Sequence, residues 1–156
     1  MKNKNSNGGL KIALYEPDIP QNTAAIIRTC ACLGAQLEII EPCGFLLNDK
    51  RFKRVVMDYL EEEKIKFYKN ADDFFKSKGN QRVILITTKG IKSYTEFNFK
   101  ISDTLLFGRE SAGVPNKVHK IANEKLKIPM AKNKRSLNLA TSVGIVLAEQ
   151  IRQVKN

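Results

Sequence analysis

The feature that most constrains this chain is an alternation, sustained from Leu10 to Val154, between apolar runs of strand length and longer stretches with helical spacing. Lys11–Tyr15, Gln36–Ile40, Lys64–Tyr68, Val83–Thr87, Asp103–Phe107 and Lys125–Ile128 read as strands. Helices are predicted over Thr23–Leu33, Lys50–Leu60, Ala71–Lys78 and, longest, from about Leu137 to Val154. In the second of these Phe52, Val55, Val56, Tyr59 and Leu60 fall close to one buried face, and in the last Leu139, Val143, Val146, Leu147 and Ile151 do the same. Pro17 and Pro20 forbid helix and predict an extended loop, after which Asn22 is the expected N-cap. Gly34 and Gly79 stand where helices should stop. The pattern predicts an α/β fold, a mainly parallel sheet flanked by helices, with ligand-binding loops at the strand C-termini.

At 156 residues there is room for one domain, residues 10–156, with a core that needs neither disulfide nor structural metal; residues 1–9 read as a disordered tail. A formal charge of +11 and a pI near 9.7 point to a polyanionic partner. Cys30, Cys32 and Cys43 are odd in number, and His119 is the one histidine, so no zinc site or disulfide framework is expected. His119 reads as a surface residue of a helix following Pro115. No apolar run reaches transmembrane length and Met1–Gly9 lacks a signal-peptide core, which predicts a cytoplasmic protein with no membrane partner.

The chemistry is then expected in loops 16–22, 87–92, 108–115 and 129–138. Gly108-Arg-Glu-Ser-Ala-Gly113 has the glycine spacing of a P-loop, but Val114-Pro115 replaces the lysine and hydroxyl that would clamp phosphates and magnesium. No G-x-G-x-x-G follows any strand, so the dinucleotide fingerprint is absent as well.

Three segments taken together resemble a known family: Leu14-Tyr-Glu-Pro-Asp-Ile-Pro-Gln-Asn-Thr23 with Arg28 and Thr29, Leu106-Phe-Gly-Arg-Glu-Ser-Ala-Gly-Val-Pro115, and Ile128-Pro-Met130 with Arg135-Ser-Leu-Asn-Leu139. In this order they are similar to the three motifs of the SPOUT RNA methyltransferases. The resemblance is nearest to the short single-domain branch that methylates the ribose 2′-hydroxyl of the tRNA wobble nucleotide, cytidine or uridine, and it covers about Lys11 to Gln153. It implies a C-terminal trefoil knot, S-adenosylmethionine as methyl donor with S-adenosylhomocysteine as product, no metal, a tRNA anticodon stem-loop as substrate and a homodimer. Knots are otherwise excluded by general topology rules, and periodicity does not reveal threading.

By the same resemblance Ile86, Gly108, Ile128 and Ser136 are cofactor contacts, joined by Met130, Leu137 and Gly113. Asn22, Arg28, Glu110, Ser136 and Asn138 form the polar catalytic constellation, and Arg109, Lys132, Lys134 and Arg135 are nominated for RNA. Each has a plainer reading from position alone: Ile86 and Ile128 as core, Asn22, Ser136 and Asn138 as helix caps, Arg28 and Glu110 as solvated charges. Where the family commonly reads Asn-Thr-Gly-Asn and Ser-Asn, this chain has Asn22-Thr-Ala-Ala25 and Ala140-Thr141. The competing functions are methylation of another tRNA site or of ribosomal RNA, and a non-catalytic RNA-binding protein with the same fold.

Overall fold

A computed structural model describes residues 9–45, 50, 52, 54 and 65–155. The expected tail therefore lies outside the described residues except for Gly9, and so does most of the predicted helix Lys50–Leu60, of which Lys50, Phe52 and Arg54 are helical. In chain order the described elements are β1 (Lys11–Tyr15), α1 (Pro20–Leu33), β2 (Gln36–Ile40), β3 (Lys66–Tyr68), α2 (Ala71–Lys78), β4 (Val83–Ile86), β5 (Lys92–Ser93), a single 3-10 turn (Tyr94–Glu96), β6 (Thr104–Phe107), α3 (Asn116–Ile121), β7 (Glu124–Lys127) and α4 (Leu139–Val154). They form the expected α/β domain, one sheet in the order β3-β2-β1-β6-β4-β7-β5 whose described pairings are all parallel.

The central strands β1, β4 and β6 are buried along their whole length, as near-continuous runs of Ile, Leu, Val and Phe require when helices cover both faces. Ile12, Leu14, Ile84, Leu105 and Leu126 point to the side packed by α1 and α4; Ala13, Leu85 and Leu106 point to the side packed by α2 and α3. The largest correction concerns the start of α1. The helix begins at Pro20, with Ile19 rather than Asn22 at the N-cap. Proline at the first helical position has no hydrogen bond to lose and its fixed φ suits the helix, so Pro20 opens α1 where it was expected to prevent it. This releases the Asn22 side chain from capping. The two-residue β5 had no periodicity to announce it.

Candidate active site

Because β6, β4 and β7 are neighbours and parallel, the segments that leave their C-terminal ends meet at one edge of the sheet. After Phe107 the chain makes a tight turn in which Arg109 and Gly113 exchange both backbone hydrogen bonds, at 3.0 and 2.8 Å. Gly113 sits at φ +64°, a conformation costly for any residue with a Cβ. Gly108 is required for a different reason: a Cβ there would stand 2.6 Å from the Gly113 main chain. The resemblance nominates Gly108 as a cofactor contact; the turn itself already demands a glycine there. After Ile86 the chain runs through Thr87, whose N–H donates to the Leu126 carbonyl at 2.8 Å, to Gly90, where a Cβ would lie 2.4 Å from the Leu126 carbonyl carbon.

These segments and the residues leading into α4 enclose a cavity of about 430 Å³. Ile86, Gly108, Gly113, Ile128, Met130 and Leu137 line it together with Ser136. Ile86 belongs to the buried core and also forms the cavity wall. The volume lies within the roughly 300–1,000 Å³ of small-molecule pockets, and aliphatic walls around glycine-rich backbone fit a purine nucleoside held by main-chain groups. Among the described residues no cluster of His, Cys, Asp or Glu could hold a metal ion.

The polar side of the cavity is a hydrogen-bonded chain. The Asn138 amide donates to Asn22 Oδ1 at 2.9 Å, the Asn22 amide donates to Glu110 Oε1 at 3.4 Å, and the Asp18 main-chain N–H donates to Glu110 Oε2 at 3.0 Å. Asn138 also caps α4, its Oδ1 accepting from Thr141 N–H at 3.2 Å, so the cap and the bond to Asn22 use different atoms of the same amide. Asp18, which sequence reasoning passed over, is the anchor of the arrangement. Its carboxylate accepts from the Ser111 hydroxyl and lies 3.6 Å from Arg109 Nε. Burial, then the neighbouring Asp18 carboxylate, pushes the Glu110 pKa up, while Asp18 is pulled down, first by its contact with Glu110 and further by Ser111 and Arg109. The only sequence signal for Asp18 was its place between two prolines in the loop that carries Asn22.

Of the five remaining candidates, four lie apart from this cluster and the fifth, Arg109, adjoins it. Arg28 is exposed on α1 and is not among the cavity residues. Lys132, Lys134 and Arg135 are exposed on the segment that precedes Ser136; there Asn133 at φ +67° and a Lys134 N–H to Ala131 carbonyl bond of 3.2 Å make a turn. Arg109 faces Asp18 and lines the cavity, with a side chain that is 32% exposed, so the structure directs it inward as well as toward solvent.

Comparison with known proteins agrees with this geometry. The sequence matches the SpoU rRNA Methylase family over residues 9–148. It is 44% identical to the tRNA (cytidine(34)-2'-O)-methyltransferase of Beijerinckia indica, over 92% of this chain and 91% of that protein. Identity to the enzyme of the same name from Escherichia coli K12 is 40%, over 93% and 94% of the two chains. A solved structure described as giving structural insights into the 2-OH methylation of C/U34 on tRNA superposes with a TM-score of 0.89 at 38% identity, covering 94% of this chain and 97% of the other. An AdoMet-bound rRNA methyltransferase from Sinorhizobium meliloti superposes with a TM-score of 0.85 at 28% identity, covering 94% of this chain and 57% of that one.

Proposed function

We propose that this chain, which belongs to the SpoU rRNA Methylase family, transfers a methyl group from S-adenosylmethionine to the ribose 2′-hydroxyl of the wobble nucleotide in a tRNA anticodon loop, as a homodimer in the cytoplasm. The observation that carries this reading is that Asn22, Glu110 and Asn138, brought from three distant segments, share one hydrogen-bonded chain on the wall of a nucleoside-sized cavity. Relatives near 40% identity along nearly their whole length act on that nucleotide by name.

Bound in the cavity, S-adenosylmethionine supplies an electrophilic methyl group. The chain's own residues align the hydroxyl oxygen with it and ease loss of the proton. The Asn22 amide is held from both sides, so its orientation is set before the ribose arrives. Ser136 and Leu137 form cavity wall while their neighbours Lys132, Lys134 and Arg135 are exposed, which puts phosphate-binding charge next to the reacting centre. Arg28 stabilises the developing alkoxide and holds a phosphate; a guanidinium with a pKa above about 12 is a poor base. Its position on the exposed side of α1 supports a composite site, in which Arg28 of one subunit serves the cavity of its partner. The trefoil knot is part of the same reading, supported by the close crossing of Gly90 over Leu126.

The test is incubation of the protein with S-adenosylmethionine and either an anticodon stem-loop or ribosomal RNA, followed by nucleoside mass spectrometry. A 2′-O-methyl group on the wobble nucleotide is expected. Methylation confined to ribosomal RNA, the reading favoured by the family description and the Sinorhizobium structure, would overturn it. Sedimentation as a monomer at micromolar concentration would remove the dimer.

A further inference from the structure

The cavity and the hydrogen-bonded chain account for Asn22, Glu110 and Asn138 but leave Asp18 without a task. Asp18 is held from three directions. A Cβ on Gly44 would meet Asp18 Cβ at 2.7 Å, and the Gly44 N–H donates to the Pro17 carbonyl at 2.8 Å, so the 41–45 segment presses the loop from behind. From the front, Ser111 and Arg109 hold the carboxylate, and Glu110 accepts from the main-chain N–H. Asp18 Oδ1 is nonetheless buried without a hydrogen-bond partner, the kind of orphan that asks for an explanation. We propose that Asp18 is a positioning residue for the methyl transfer, locking the Pro17–Ile19 loop onto the Gly108–Gly113 turn and so holding Glu110, Asn22 and Asn138 in register beside the cofactor cavity.

This rests on the methyltransferase reading and extends it. Asp18 itself does not line the cavity, so it acts through Glu110. The two carboxyl groups are neighbours, and a proton shared between them would satisfy Oδ1 at the acidic end of the pH range. The charged and titratable groups on the segments adjoining the pair are Arg109 on the same turn as Glu110, Tyr15 and Glu16 at the end of β1, and Glu41 and Cys43 on the 41–45 segment. Of these, Arg109 faces Asp18 directly; burial pushes the Tyr15 hydroxyl up to about 12 and the Cys43 thiol up to about 11, so neither titrates with the pair.

Asp18→Ala should lower kcat by about tenfold or more, the scale of a misplaced catalytic group, with the affinity for S-adenosylmethionine changed less than about twofold. Asp18→Asn should restore a large part of the rate, because the amide oxygen still accepts from Ser111. The same variant removes the like charge beside Glu110, so the Glu110 pKa should fall and any limb of the pH–rate profile that it controls should move to lower pH. Carboxyl-carbon NMR of Glu110 in the wild-type and Asp18→Asn proteins reads this shift without RNA, and so separates failure of the proposal from failure of the tRNA reading. An unchanged Glu110 titration, or wild-type turnover in Asp18→Ala, overturns it. So does a rate loss matched by lost cofactor affinity and unrelieved by asparagine.

Discussion

Two pairs of charged side chains in this molecule have been treated in opposite ways. Beneath α2, Lys78 Nζ lies 2.6 Å from Glu38 Oε2, with side chains 5% and 2% exposed. The other Glu38 oxygen accepts from the Tyr68 hydroxyl at 3.1 Å, and the lysine stands 5.1 Å from the Phe74 ring centre. Burial pulls the Lys78 pKa down and Glu38 opposes it, so the buried lysine depends on its partner for its charge. At the cavity, Asp18 and Glu110 carry the same sign, keep one oxygen unpartnered and are only partly buried. A fully satisfied pair of opposite charges holds two elements of the fold together. A pair of like charges adds no attraction of its own, so the grip at the cavity comes from Ser111, Arg109 and the Asp18 N–H. The unmet hydrogen bond is a cost of the kind found where substrate is handled.

The contrast is tested most severely at Lys78. Lys78→Met should destabilise the protein by about 3–5 kcal/mol in urea denaturation, since Glu38 is left buried and uncompensated. The rate per folded molecule should not change. A loss below about 1 kcal/mol would mean that water reaches Glu38, and the two pairs would no longer be opposites. Arg28→Ala should reverse the pattern, leaving the urea midpoint in place while lowering single-turnover methylation by at least about 10²-fold, or about 2.7 kcal/mol. Arg28→Lys should keep part of the rate, as the charge survives and the planar fork does not. Wild-type turnover in the alanine variant would return Arg28 to the role of a solvent-facing charge.

Gly108→Val sharpens the comparison from within the site, because here packing and function coincide. Its Cβ would strike the Gly113 main chain at 2.6 Å, so a stability loss of about 1–3 kcal/mol should accompany loss of cofactor binding by calorimetry. Retained affinity would show that the turn does not bound the cofactor. The mildest effect is expected from Lys132→Ala, Lys134→Ala and Arg135→Ala combined. Stability should be within about 0.5 kcal/mol of wild type, and the logarithmic salt dependence of stem-loop binding should become shallower by up to about 2–3, from 0.7–0.9 for each of three lost phosphate contacts. An unchanged slope would place the RNA elsewhere.

Much of the frame was legible because it is written locally. Runs such as Val83–Ile86 and Thr104–Phe107, too short for helices and apolar throughout, announced buried parallel strands, and the loops that follow them do form the cavity wall. Gly113 was legible for the same reason, as its backbone angle is a property of the residue itself. What failed depended on partners far along the chain. From its neighbours alone Asn22 looks like an N-cap, and only the family resemblance groups it with Glu110, 88 residues away, and Asn138, 116 residues away. Asp18 was invisible for that reason too, its contact to Ser111 spanning 93 residues. Helix α1 starts before Asn22 because the second proline of the pair, which excludes helix on its N-terminal side, favours it on its C-terminal side.

The crossing of Gly90 over Leu126 fixes how the cavity can change shape. Thr87 is bonded to the Leu126 carbonyl, Gly90 rests on that same carbonyl group with no side chain between, and β4 pairs with β7 along the sheet. The wall built from Ile86 and the wall built from Ile128 and Met130 are consequently one mechanical part, like the fixed jaw of a vice. The Gly108–Gly113 turn is the opposing jaw, fastened at its root by β6 and across its tip by Asp18. The turn is therefore the part of the wall free to adjust, while the paired strands hold their places.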